Sequence, residues 1–209
     1  TLSGGRGGDG LDGGAGNDLL SYADATQGIV ANLTSGVVDA GARDLVRGIE
    51  RLAGSAFADN LTGSALADVL EGGGGADTLS GAAGADTLRG GAGDDRLRGG
   101  PGADLFLFRA GDGADVIFDF VPGEDRLAFY GFADAPTVSA STLGTVLLFA
   151  SGEQILLRGV LPEALDPAAL APRQESAPAE APVPPSQTLR ANEDVVLSAA
   201  EQLRVSDPL

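Results

Sequence analysis

The 209-residue chain has no cysteine, no histidine, no methionine and no tryptophan. No disulfide can staple its fold, and the imidazole and thiolate ligands that zinc and copper favour are missing. Most nucleophile–base pairs of covalent catalysis go with them, and neither HExxH nor GxSxG occurs, so the chain is not expected to be an enzyme. Positive charge is scarce: 13 Lys and Arg stand against 30 Asp and Glu, for a net charge of −17. Nucleic acid and anionic membrane surfaces are poor partners for such a chain, and divalent cations are good ones. No apolar run is long enough to span a bilayer, so membrane insertion is not expected, and nothing at Thr1 reads as a secretory signal. The chain is expected to be a piece of a larger protein, with further domains in the same parent.

What the sequence does have is glycine, 33 residues of it, set with a period. Six nine-residue units run without a gap from Gly54 to Leu107: GSAFADNLT, GSALADVLE, GGGGADTLS, GAAGADTLR, GGAGDDRLR and GGPGADLFL. Two more, GGRGGDGLD and GGAGNDLLS, fill Gly4–Ser21 and carry Asp9 and Asp18 at the sixth place. Every one of the six puts aspartate at place six and Leu or Phe at place eight. Glycines at places one, two and four suit a turn, and the last three residues suit a short strand with one inward side chain. The inward residues are Leu61, Leu70, Leu79, Leu88, Leu97 and Phe106, flanked mostly by polar residues such as Thr78, Ser80, Thr87, Arg89, Arg96 and Arg98. Two units close one turn of a flattened coil, so each unit stacks on the next but one. Asp59, Asp77 and Asp95 then form one column, and Asp68, Asp86 and Asp104 the other.

Stacked strands lie ~4.8 Å apart, and two carboxylates ~5 Å apart repel by roughly 3 kcal/mol at an effective dielectric of 20. One apolar side chain per unit cannot offset the entropy of ordering so glycine-rich a chain. Without a cation between the aspartates the array is expected to be disordered. Calcium suits the role: it takes six or more oxygens in loose geometry, and glycine turns present carbonyls beside each aspartate. Magnesium wants a stricter octahedron and keeps its waters. Asp12 and Asp94 fall outside place six and read as solvated charge.

The nonapeptide resembles that of the RTX (repeats-in-toxin) family of secreted proteins. The resemblance implies an all-β fold: a right-handed parallel β-roll, a kind of β-helix, with several Ca2+ ions between stacked turns. It further implies ligands from places two, four and six of one unit and places one, three and six of the next unit but one. In this chain those are Gly73, Gly75 and Asp77 with Gly90, Ala92 and Asp95, and, on the opposite edge, Ala82, Gly84 and Asp86 with Gly99, Pro101 and Asp104. Upstream, Ser64, Leu66 and Asp68 meet Gly81, Ala83 and Asp86, while Ser55, Phe57 and Asp59 meet Gly72, Gly74 and Asp77. These two sets depart from the motif, because Phe57 and Leu66 replace the fourth-place glycine. Asp9 and Asp18 are the corresponding candidates in the first two units.

The flanks divide the rest. Residues 1–21 hold the first repeats, and 22–53 form an elaborated turn of the same roll, with GIVANL as a strand, Glu50 at the ligand place of a decayed unit, and Thr34–Arg43 open between coil and surface loop. Residues 54–107 are the core roll. Over 108–160 the segments VIFDF, DRLAFYGF, TVLLFA and QILLRGV suggest a small antiparallel cap, similar to the region after the roll in serralysin-type proteases. Asp112 and Asp115 there are either further calcium ligands or turn formers. Residues 161–188 read as a stiff Pro/Ala-rich linker. Residues 189–209 resemble the truncated opening of a bacterial cadherin-like module and are expected to be a disordered tail.

Three functions compete. The first is a calcium-driven module that leaves a Gram-negative bacterium unfolded through type I secretion machinery, folds on extracellular calcium and serves as scaffold of a larger secreted protein. The second is part of a large surface adhesin or layer protein. The third is the non-catalytic C-terminal domain of a secreted protease or lipase. An ice-binding roll needs a regular Thr/Asn row, which the fifth places (Gly8, Asn17, Ala58, Ala67, Ala76, Ala85, Asp94, Ala103) do not supply.

Overall fold

The computed structural model describes residues 1–173. The two first units give β1 (Gly10–Asp12) and β2 (Leu19–Ser21), and the region before the core array gives β3 (Val30–Asn32), β4 (Val37–Asp39), β5 (Arg43–Arg47) and β6 (Arg51–Ala53). The array itself gives β7 (Asn60–Thr62), β8 (Val69–Gly74), β9 (Thr78–Ser80), β10 (Thr87–Ala92), β11 (Arg96–Arg98) and β12 (Leu105–Arg109). Then come β13 (Ala114–Ile117), β14 (Arg126–Tyr130), β15 (Thr137–Ser141), β16 (Gly144–Leu148) and β17 (Gln154–Arg158). Among the described residues no helix is long and apolar enough to cross a membrane.

Successive units alternate between two sheets, the arrangement of a β-roll. One sheet runs β14-β12-β10-β8-β6-β2, all parallel. The other runs β1-β5-β4-β3-β7-β9-β11-β13-β17-β16-β15. Through the array each strand pairs with the strand two units on, with Leu61 opposite Leu79 and Leu79 opposite Leu97 in one sheet, and Leu70 opposite Leu88 and Leu88 opposite Phe106 in the other. All six of these side chains are buried, each contributing about 2 kcal/mol of apolar transfer.

The elaborated turn lengthens one coil without breaking the ladder. Leu20 pairs with Leu52, a wider gap in sequence than two units span, because β3, β4 and β5 are inserted as an antiparallel meander whose last strand lies parallel to β1. Val37–Asp39 is thus a strand rather than surface loop.

The antiparallel part of the cap is smaller than the sequence suggests. VIFDF supplies β13, which pairs parallel with β11, and DRLAFYGF supplies β14, which pairs parallel with β12. Only β15–β16 and β16–β17 are antiparallel within the cap, and β17 rejoins β13 in parallel. The reason is geometric: an open parallel ladder offers unpaired N–H and C=O groups at its end, and the next strands satisfy them in the same sense. Phe129 and Phe149 (centroids 5.1 Å apart) and Phe132 and Phe149 (3.9 Å) pack at this end.

The linker also needs correction, since it does not begin at 161. Pro162–Ala164 and Pro167–Leu170 are 3₁₀ turns, each with proline in its first turn; Leu170 is buried, and Arg173 bridges to Tyr130. Proline suits the first position of such a turn because its missing N–H has no partner there. The remainder of the expected linker and the cadherin-like stretch 189–209 lie outside the described residues.

Candidate calcium-binding turns

Because strand neighbours alternate, the sixth-place aspartate shares the inward face of the eighth-place leucine. Asp59, Asp68, Asp77, Asp86, Asp95 and Asp104 are accordingly buried, not set on exposed edges. Their stacking is held by a repeated hydrogen bond. The backbone N–H of Asp59 donates to Asp77 Oδ1 (2.7 Å), Asp77 to Asp95 (2.7 Å), Asp68 to Asp86 (2.8 Å) and Asp86 to Asp104 (2.9 Å). Both columns continue into the cap: Asp95 N–H donates to Asp115 Oδ1 (2.9 Å) and Asp104 N–H to Asp125 Oδ1 (3.0 Å).

One oxygen of each carboxylate is thereby used. The other, Oδ2 of Asp77, Asp86, Asp95 and Asp104, is buried without a hydrogen-bond donor, as is Oδ1 of Asp68. A buried carboxylate oxygen without a counter-charge costs several kcal/mol. Burial, opposed by the stacked N–H and reinforced by neighbouring aspartates, pushes the Asp77 carboxyl up to about 7 and Asp86 to about 6. Burial likewise lifts Asp95 to about 6 and Asp115 to about 8, and raises Asp104 and Asp68.

The residues around these oxygens fit a hard cation. A Cβ added at Gly72 would collide with both Asp77 Oδ2 and the Gly90 carbonyl, and one at Gly81 with both Asp86 Oδ2 and the Gly99 carbonyl. A carboxylate oxygen and a carbonyl oxygen from the next turn thus converge where only glycine leaves room. Among the described residues no three His, Cys, Asp or Glu side chains come together, so the carboxylates would be completed by backbone carbonyls, an all-oxygen set suited to calcium.

The structure brings the turns of the best implied site together: Gly74 pairs with Ala92, and Gly75 N–H donates to the Ala92 carbonyl at 2.8 Å. On the other edge Gly84 N–H donates to the Pro101 carbonyl at 3.1 Å. Places two and four have left-handed backbone here, at φ +110° for Gly73 and +103° for Gly75, and Ala82 takes it too, at +80°. Upstream, Gly74 N–H reaches the Ser55 carbonyl (3.1 Å) and Ala83 N–H the Ser64 carbonyl (3.3 Å), while Phe57 and Leu66 point outward and exposed.

The remaining candidates fall out differently. Asp9 and Asp18 stack not on the next unit but one but on the inserted region, Asp9 N–H donating to Asp44 Oδ1 (2.8 Å) and Asp18 N–H to Glu50 Oε2 (3.0 Å). Asp115 extends a column, whereas Asp112 is engaged by Arg109 N–H (2.6 Å) and by Arg89 (3.3 Å). Asp12 is exposed and pairs with Arg47 at 2.5 Å. Asp94 accepts Ala114 N–H at 3.0 Å.

Asp44, Asp119 and Asp125 escaped the nonapeptide reading. Asp44-x-Val46 and Asp125-x-Leu127 keep the acid-x-aliphatic spacing of places six and eight, a signal shorter than the full motif that would have found them. Asp119-x-Val121 keeps the same spacing, but Val121 is exposed and the Asp119 carboxylate instead accepts Gly99 N–H (3.0 Å) and Gly100 N–H (3.1 Å).

The family model described as the RTX calcium-binding nonapeptide repeat matches in four copies, over residues 1–22, 47–79, 71–106 and 80–117. Among solved structures, the AlgE6R3 subunit of the Azotobacter vinelandii mannuronan C5-epimerase is 31% identical, over 66% of this chain and 92% of its own, with a TM-score of 0.43. The extracellular lipase LipA of Serratia marcescens is 22% identical, over 79% of this chain and 34% of its own, with a TM-score of 0.37. No curated protein matches the chain.

Proposed function

The chain belongs to the RTX calcium-binding nonapeptide-repeat family, and from that premise we propose that it is a calcium-folded scaffold module of a larger secreted protein. In this reading the parent passes a type I exporter of a Gram-negative bacterium unfolded and orders outside the cell, where calcium is millimolar. Neighbouring domains of the parent carry any catalysis or adhesion. The ligand sets named above for Asp77 with Asp95, Asp86 with Asp104 and Asp68 with Asp86 belong to the same proposal.

The observation that carries it is the pair of columns of buried carboxylates, in which Asp68, Asp77, Asp86, Asp95 and Asp104 each keep an oxygen that no protein donor reaches. Bound calcium supplies two positive charges and accepts the carbonyl and carboxylate oxygens together. The protein's share is to fix those oxygens in advance: the stacked N–H holds Oδ1, the first-place glycine leaves room beside Oδ2, and the buried leucine two residues on locks the turn to the core. If each site binds at ~0.1–1 mM, a few millimolar calcium contributes about 1–2 kcal/mol per site. Several such sites in one ladder make the transition cooperative.

Circular dichroism of the chain titrated with calcium and, separately, magnesium tests this. A cooperative gain of strand with calcium alone is the expected result. An equal response to both ions, or none, contradicts it.

A further inference from the structure

Not every aspartate of the columns waits for a cation. At Asp59 both carboxylate oxygens are fully engaged: Oδ1 accepts Ile29 N–H (2.6 Å) and the Ser55 hydroxyl (2.9 Å), and Oδ2 accepts Ser55 N–H (2.6 Å). The same serine oxygen accepts Phe57 N–H at 3.1 Å, closing the turn around a fourth-place residue that is not glycine. Neither Ser55 nor Phe57 has the left-handed backbone of Gly73 and Gly75, so the second-place N–H swings inward to the unit's own aspartate. At Asp44 the pattern recurs with another donor: Oδ1 accepts Asp9 N–H, and Oδ2 accepts the hydroxyl of buried Tyr22 at 2.5 Å.

Asp68 is the transition between the two kinds. Ser64 N–H (2.5 Å) and hydroxyl (2.9 Å) hold its Oδ2, and Leu66 N–H donates to the Ser64 oxygen (3.1 Å), while Oδ1 stays without a partner. Beyond it, Asp77, Asp86, Asp95 and Asp104 each keep an unpartnered buried oxygen.

We propose that protein hydroxyls stand in for calcium at Asp44 and Asp59, so that these two joints close without metal, whereas Asp9, whose Oδ2 is buried without a donor as in the turns downstream of Asp59, stays open to an ion. The inference rests on the calcium-binding reading above and deepens it. It removes the implied Ser55, Phe57 and Asp59 ligand set from the array. A serine at place two together with a bulky residue at place four is thus a different solution of the same turn, not a decayed repeat.

Calcium bound per chain, counted by equilibrium dialysis of the full chain and its variants, tests the idea. Asp59→Asn is expected to leave the count unchanged and the midpoint within about twofold, whereas Asp77→Asn loses at least one ion. Restoring the motif with Ser55→Gly and Phe57→Gly together is expected to add one ion. The proposal is overturned if Asp59→Asn loses an ion as Asp77→Asn does, or if the double glycine variant binds no more than the parent. Should Asp59→Asn fail to fold in calcium, the double glycine count decides alone. A parent chain that binds no calcium overturns the function proposed above; a parent that binds while Asp59→Asn loses an ion overturns only the stand-in role.

Discussion

Turns 54–59 and 72–77 are built on the same spacing and stack directly on one another, yet they satisfy their aspartates in opposite ways. In the first, Ser55 supplies both its N–H and its hydroxyl to Asp59. In the second, Gly73 adopts a left-handed backbone and Asp77 is left with a buried oxygen that no donor reaches. The chemistry of a repeat therefore resides not in its aspartate, which both units possess, but in whether the second and fourth places free the carboxylate from its own turn. A serine hydroxyl fixes one geometry permanently. Glycine leaves a buried oxygen that no protein donor reaches, which in the proposed function makes folding conditional on a cation.

The sharpest way to break this contrast is to remove the open carboxylates. Asp77→Ala with Asp95→Ala is expected to raise the calcium midpoint at least tenfold in a dichroism titration, while Asp12→Ala, whose partner is the exposed Arg47, leaves it in place. Parity between the two would discredit the column arrangement.

Filling the cradle comes next. Gly81→Ala drives a methyl into Asp86 Oδ2 and the Gly99 carbonyl, and is expected to lower the melting temperature of the calcium-loaded chain by on the order of 5–10 °C. An unchanged melting temperature would mean the space beside Asp86 is not needed.

How much of this is legible in the sequence depends on the length of the signal. The ladder from Leu61 to Phe106 repeats often enough that register, core and both aspartate columns follow from spacing alone. The β3–β5 meander does not, since VVD at Val37–Asp39 is too short to separate from a loop. Pairing sense in the cap is also hidden, because a brief apolar run such as VIF reads alike whether its neighbour is parallel or antiparallel. Pro162 and Pro167 read as linker, yet each opens a 3₁₀ turn, and the turn at Pro167–Leu170 is anchored by buried Leu170. Ser55 and Ser64 read only as second-place ligands; their hydrogen bonds to Asp59 and Asp68 emerge only once those aspartates are seen to face inward.

Acidity probes the open turns from another side. In the metal-free fold Asp77, Asp86, Asp95 and Asp115 sit at about 7, 6, 6 and 8, above their ordinary value of 3.8. Raised carboxylates mean that the fold binds more protons than the unfolded chain. Its penalty is absent below pH ~4, grows as pH climbs through the folded values and is complete above pH ~8. In excess chelator, strand content is therefore expected to increase from pH 8 to pH 5, and the calcium midpoint to rise over the same interval as protons compete. A flat profile would place the charge elsewhere than in these turns.

The smallest effect is expected at Ala82, which carries the second-place left-handed backbone at φ +80° without being glycine. Ala82→Gly relieves that strain and should stabilise the loaded chain by about 1 kcal/mol, readable as a modest gain in urea midpoint. Destabilisation instead would mean that Ala82 does not hold this backbone in the loaded fold.

Amide hydrogen exchange of the full chain at neutral pH, in millimolar calcium and in excess chelator, separates a cation-dependent fold from one that stands without metal. Protection of Thr87–Ala92 and Arg96–Arg98, the strands beside Asp86 and Asp95, is expected in calcium and lost with chelator. Equal protection of these strands under both conditions would contradict the claim that the open carboxylates make this fold wait for a cation.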